Sequence, residues 1–261
     1  MAHGTVSIRL AFASTLLIAM LGHPLSRCSG QAPAAPPASN PFDVPLRYLA
    51  EAQQSYRGLR DYACLFVKQE RLRGRLEPEN IISMQVRTQP FSVYMRWLRP
   101  DDVSGQEALY VVGQNRGMLR VHSVGLRGAA GFVSLDPNDP RVLEHNRHPI
   151  VEAGIGNLIE RLGQRWTAES RWNQTEVRTA EFRYDGKRCV RVELTHAANP
   201  SGQFPFRRSA VYFDLHTHLP IRIENYDWPK RGEDPRGVLA ECYSYTSLRL
   251  NLGVHDGVFN R

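Results

Sequence analysis

His216 and His218 stand with one residue between them, a spacing that on a strand sends both rings to one side and within reach of a single metal ion. Here they fall in the turn bounded by Asp214 and Pro220, with no third histidine nearby in sequence, and read as an exposed hairpin turn. Asp136, Asp139, Glu144, His145 and His148 form a second polar group, which helix capping by Asp136 and solvation explain. Nucleophilic chemistry has less to draw on: there is no Gly-x-Ser-x-Gly elbow, and Ser123 and Ser134 near His122 carry no motif. Glu70, Glu107 and Glu224 offer carboxylates for glycoside hydrolysis, although such residues in strands more often pair with neighbouring arginines. Cys64 lies on an apolar strand face without a base. The expectation is no catalytic residue, no metal and no cofactor.

The remaining chemistry concerns compartment. Arg9 closes a short positive start, and 10–21 (LAFASTLLIAML) is an apolar run too short to span a bilayer, which needs ~20 residues. With His23, Pro24 and Arg27 ending it, 1–27 reads as a secretory signal peptide. Leu25-Ser26-Arg27-Cys28 is also a degenerate lipobox, so anchoring through a lipid on Cys28 stays open beside simple cleavage. Residues 28–42 form a Pro/Ala-rich leader that cannot bury a core. Four widely spaced cysteines contain no Cys-x-x-Cys pair; Cys64, Cys189 and Cys242 are either buried thiols or include one disulfide. The net charge of +7 comes from scattered arginines, which argues against a nucleic-acid footprint but leaves transient contact with anionic lipid open.

These residues must be positioned by regular elements. Asp43 as N-cap, Pro45 in the first turn and Leu46, Leu49 and Ala50 at helical spacing predict an opening helix that Gly58 ends. From Asp61 the period becomes two: Tyr62, Cys64 and Phe66 share a face, then Ile82, Met84 and Val86, then Phe91, Val93, Met95 and Trp97. An antiparallel meander follows, continuing through 107–112 and 118–124 around the turn at 113–117. The glycine-rich stretch 125–131 is expected to be mobile. A short helix is expected from Asp136 through Arg147, and a longer one at 154–166 from Ile155, Leu158, Ile159 and Leu162. Strands resume at 176–182, 189–195, 209–214, 219–226 and 239–250. The pattern predicts a single α+β domain over 43–261, dominated by one large antiparallel sheet with an N-terminal helix and a short helical lid.

Several segments resemble a known family. Tyr62-x-Cys64-x-Phe66-x-Lys68-x-Glu70-Arg71, then Pro90-Phe91-Ser92-Val93-Tyr94-Met95, then Gly105-x-Glu107-x-Leu109-Tyr110-Val111, are similar to the bacterial envelope proteins of unknown function grouped as DUF1571. Phe213-Asp214 with Leu219-Pro220-Ile221-Arg222, and Glu241-x-Tyr243-x-Tyr245, agree with it. The strand pattern resembles the lipoprotein-carrier (LolA-like) fold, which implies a large curved half-barrel sheet around a greasy hollow.

That resemblance gives the apolar strand residues a role. Phe66, Met84, Phe91, Met95, Trp97, Leu109, Val111, Phe213 and Ile221 are expected to line the hollow, with Arg87, Arg96 and Arg99 holding a lipid headgroup. The function so implied is non-catalytic binding or carriage of a lipid, a lipoprotein acyl chain or another hydrophobic ligand in the periplasm or cell envelope, with the 125–131 loop and the helix from Gly154 as a movable lid. The alternative is a structural or interaction module with a solid core; a hydrolase comes third.

Overall fold

The structure is a computed structural model and describes residues 40–260 except 173. The expected signal peptide, Cys28 and most of the expected Pro/Ala-rich leader lie outside the described residues.

Alternation of period two becomes long strands from Asp61 onward. In chain order these are β1 (Asp61–Leu72), β2 (Arg75–Leu76), β3 (Asn80–Arg87), β4 (Ser92–Arg99), β5 (Glu107–Val111), β6 (Leu119–His122) and β7 (Phe132–Leu135). The second half adds β8 (Thr175–Tyr184), β9 (Lys187–His196), β10 (Arg208–Asp214), β11 (Pro220–Asp227) and β12 (Val238–Leu250). They form one antiparallel sheet in the order β7-β6-β5-β4-β3-β1-β12-β11-β10-β9-β8, with β2 folded back on β1. Each half is a meander of sequence neighbours, and β12 joins the two by pairing with β1, Phe66 standing opposite Tyr245. The ends of this order, β7 and β8, do not pair with each other, so the sheet is open.

One face, called inner here, carries the helices. α1 (Asp43–Arg57) and α3 (Ile155–Glu169) pack on each other through small residues. A methyl added at Gly156 would come within 2.4 Å of the Tyr56 ring, and one at Gly163, two turns further along, would meet Leu49 at 3.4 Å. Beneath them Tyr48 stacks on Phe213 at 5.7 Å between ring centroids, and Trp166 packs against the same ring. The predicted stripe Ile155, Leu158, Ile159 and Leu162 is buried as expected. Tyr62 fixes where α3 begins: its hydroxyl accepts the Ile155 N–H at 2.8 Å, beside Gly154 at φ 96°.

The expected caps move by a residue or more. Phe42 occupies the cap position of α1 and Asp43 sits in the first turn, where a carboxylate still suits the helix dipole. Asp139, not Asp136, caps α2 (Pro140–Leu143), its Oδ1 accepting the Arg141 N–H at 2.8 Å, while Asp136 ties its own turn. α2 is shorter than expected, and 144–153 runs on as irregular chain across the inner face. The stretch at 125–130 winds into 3-10 turns and leads into β7, a strand outside the expected set.

The outer face has its own cover. Leu109 and Val111 pack with Tyr94 beneath Phe259, Val254 and Val258 of the last segment. Asp61 holds that segment, its carboxylate accepting the N–H groups of Leu252 and Gly253 at 2.7 and 3.1 Å. Cys64, Cys189 and Cys242 are buried free thiols, which decides the open choice against a disulfide among them. The His216-x-His218 turn is organised by Asp214, which accepts from His216 N and Thr217 Oγ1 at 3.0 Å, while His218 Nδ1 lies 3.2 Å from Glu51 on α1. Among the described residues no cluster of His, Cys, Asp and Glu is arranged to hold a metal ion.

Candidate functional site

The apolar alternation of β1, β3, β4, β5 and β6 continues past the edge of the two long helices. Ile82 pairs with Trp97, Met95 with Ala108, and Ala108 with Val121, all on the inner face. Over this stretch the cover among the described residues is α2 and the irregular segment 144–153, whose Val142, Pro149 and Ile150 line the space beneath. Behind it lies a cavity of about 550 Å³, inside the roughly 300–1,000 Å³ range of small-molecule sites. Phe66, Met95, Trp97 and Leu119 form part of its apolar wall, and Tyr245 closes the side towards β12. Trp97 is fixed from behind by its indole N–H, which donates to Asn80 Oδ1 at 2.9 Å.

The opposite end of the cavity is polar. The inner face of β1 changes character after Phe66: Lys68 and Glu70 continue the alternation and are buried, at 8% and 5% exposure. Across the pairing, Tyr243 faces Lys68 and Glu241 faces Glu70. Two carboxylates directly opposed on one face of a sheet repel. The pair persists because donors converge on it. Lys68 Nζ lies 3.1 Å from Glu70 Oε2, and the Tyr243 hydroxyl donates to Glu70 Oε1 at 2.6 Å. Arg147 Nε donates to Glu241 Oε2 at 3.0 Å, and His148 Nε2 lies 2.9 Å from the same oxygen.

Burial alone would push the Glu241 carboxyl up. The His148 hydrogen bond and charge, the Asn225 amide and Arg147 outweigh it and bring the carboxyl to about 2. Burial, reinforced by Glu241 and Glu70, pushes the Tyr243 hydroxyl well up, which keeps it a proton donor. From Glu241 the network runs inward beneath α3. Asn225 Nδ2 donates to Glu241 Oε1 at 2.7 Å, Ser209 Oγ to Asn225 Oδ1 at 2.6 Å, and Arg165 Nη2 to Ser209 Oγ at 2.8 Å.

Three consecutive residues of the cover therefore fasten it to the sheet. Asn146 Oδ1 accepts from Lys68 Nζ at 2.5 Å, the Arg147 guanidinium reaches Glu241 and the Arg71 carbonyl, and His148 spans Glu241 and Glu152. Arg161 of α3 donates to Glu152 Oε2 at 2.7 Å and completes the join. The arrangement is a cover tied to the sheet over a space that is apolar at one end and polar at the other.

Of the residues expected to line a hollow, Phe66, Met95 and Trp97 do so. Met84 and Phe213 are fully enclosed in the core beside or beneath the helices, and Phe91 packs in a turn against Tyr110. Leu109 and Val111 belong to the outer face, because 108–111 is apolar on both sides and the last segment covers the second. Ile221 also turns outward, against Cys189, Ala210 and Tyr212, because an irregularity in the pairing at Tyr212 and Phe213 inserts an extra residue and reverses the alternation.

None of the three expected headgroup arginines reaches the cavity. Arg87 pairs with Asp256 at 2.5 Å and lies over the Phe259 ring, Arg96 is exposed on the outer face, and Arg99 pairs with Asp101 in solvent. The three carboxylates considered for hydrolysis do not meet either. Glu70 faces the cavity, Glu107 is on the outer face opposite Arg96, and Glu224 bonds Arg222 and Tyr226. Sequence reasoning missed Lys68, Glu241, Tyr243 and Arg161. The available signal was two charged residues, Lys68 and Glu70, at positions that alternation assigned to the buried face.

Residues 59–261 match the family described as "Protein of unknown function (DUF1571)". The chain belongs to the DUF1571 family. This DUF1571 chain is also similar to solved structures. One is an uncharacterized conserved protein from Thermus thermophilus, at 10% identity and TM-score 0.47, covering 84% of this chain and 93% of that one. Another is the lipoprotein LppX of Mycobacterium tuberculosis, at 13% identity and TM-score 0.43, covering 82% and 95%. A third is the LolA superfamily protein NE2245 of Nitrosomonas europaea, at 10% identity and TM-score 0.32, covering 83% and 97%. No curated protein matches the DUF1571 chain.

Proposed function

We propose that this protein is exported to the cell envelope and there binds or carries a lipid, a lipoprotein acyl chain or another hydrophobic ligand in the inner-face cavity, without catalysing a reaction on it. The observation that carries the reading is the space of about 550 Å³ that Phe66, Met95, Trp97 and their neighbours border but do not fill. A space of many water volumes, apolar at one end, polar at the other and partly open to solvent, has the size and lining of a ligand pocket. Each buried methylene stabilises such a complex by ~0.8 kcal/mol, so a dodecyl chain gains roughly 9 kcal/mol before the cost of association is subtracted. That is enough for reversible binding with no covalent step. The apolar run at 10–21 followed by the Pro/Ala-rich leader supports export.

The test uses Trp97 as reporter. A terminally brominated dodecyl glyceride should quench the fluorescence of the wild type saturably, and Trp97→Phe should lose most of that quenching. Unsaturable quenching that is the same in both proteins would refute occupancy of the cavity.

A further inference from the structure

We infer that the polar end of the ligand carries no net charge: the cavity takes an uncharged amphiphile, ending in hydroxyl or carbonyl oxygens, in preference to a fatty carboxylate or an alkyl phosphate. The inference rests on the cavity reading above and narrows its ligand class.

The ionic groups at the polar end are already paired with one another. Lys68 is spent on Glu70 at 3.1 Å, with both side chains under a tenth exposed, and on Asn146. Arg161 is spent on Glu152 at 2.7 Å, and Arg147 on Glu241 at 3.0 Å. His148 has a carboxylate oxygen against each ring nitrogen, Glu152 at 3.1 Å and Glu241 at 2.9 Å. Even at the exposed rim Arg141 turns to Asp139 and Glu144 meets Arg73. Every lysine and arginine bordering this end is thus matched by a carboxylate of the protein itself.

An incoming anion would meet Glu70 and Glu152 in the lining, and to gain Lys68 it would have to break the buried pair with Glu70 and strand that carboxylate. An incoming cation would meet the mirror-image cost from Lys68 and Arg161. An uncharged oxygen meets neither. Among the described residues Lys68 Nζ has two acceptors, Glu70 and Asn146, and an ammonium carries three N–H groups. The third suits a single ligand oxygen, and a hydroxyl on the ligand can in turn donate to the carboxylates already present.

The experiment is calorimetric titration of the folded protein at about pH 8, where carboxylates are ionised, with three dodecyl probes below their micelle concentrations. These are monododecanoyl glycerol, dodecanoate and dodecyl phosphate. The glyceride should bind at least about tenfold more tightly than either anion. In Glu70→Gln, which frees Lys68 of its carboxylate, the gap should narrow or reverse. Dodecanoate or dodecyl phosphate binding as tightly as the glyceride to wild-type protein would overturn the inference and leave the cavity reading intact. Binding of none of the three would overturn the cavity reading itself, and the inference with it.

Discussion

Glu241 joins the sheet to the segment that covers the cavity, and its acidity records that role. The carboxyl falls from its ordinary 4.5 to about 2, so its contribution to stability is fully present above 4.5 and is lost as pH falls through 2. The size is on the order of 3 kcal/mol for a buried group shifted this far. Glu241→Gln should therefore cost about 2–4 kcal/mol at neutral pH in denaturant unfolding, and its stability should decline less than that of the wild type between pH 6 and pH 3. Equal slopes in the two proteins would remove Glu241 from this role. The cysteines make a second prediction at this scale. Burial pushes the Cys64 thiol up to about 12 and Cys242 up to about 11, and raises Cys189 as well. All three should resist iodoacetamide at pH 8 in the native protein and react once it is unfolded, read by intact mass.

At the scale of elements, the covering layer depends on how closely α1 and α3 approach. Gly156 faces the Tyr56 ring with no room for a side chain, so Gly156→Val should force the helices apart and lower stability by about 1–3 kcal/mol, seen as a fall in the thermal midpoint. A variant as stable as the wild type would show that the contact has slack. The same elements show what can be read without coordinates. Helical spacing in Ile155, Leu158, Ile159 and Leu162, and the alternation from Tyr62 to Trp97, were legible because each element shows water one face and the core the other. β5 was not, because both of its faces are covered and its residues after Glu107 are apolar on both; choosing Leu109 and Val111 over Ala108 as inward was undetermined by pattern. β7 follows a glycine-rich stretch and spans only four residues, too few for a period to show.

For the molecule as a whole, sequence showed that an inner face existed but not where its contents were incomplete. Whether Phe66 and Trp97 border solid core or open space depends on the segment 140–153, which has little regular structure and so leaves no periodic trace. The polar end was hidden for a related reason: Lys68 and Glu70 on β1, Glu241 on β12 and Arg147 and His148 on the cover meet only through tertiary packing. Such a network costs stability where its charges go unmatched, and here Glu70, Glu152 and Glu241 each face a cation, which seats the cover on the sheet. Ala108 offers the most direct test, since it lies on the floor of the cavity and a larger side chain there would occupy the space itself. Native mass spectrometry of protein purified from membranes should show the wild type carrying a co-purifying hydrophobic mass, and Ala108→Trp, folded by circular dichroism, carrying none. A wild type that is bare under conditions preserving a known lipid complex, or a variant carrying the same mass, would contradict the account.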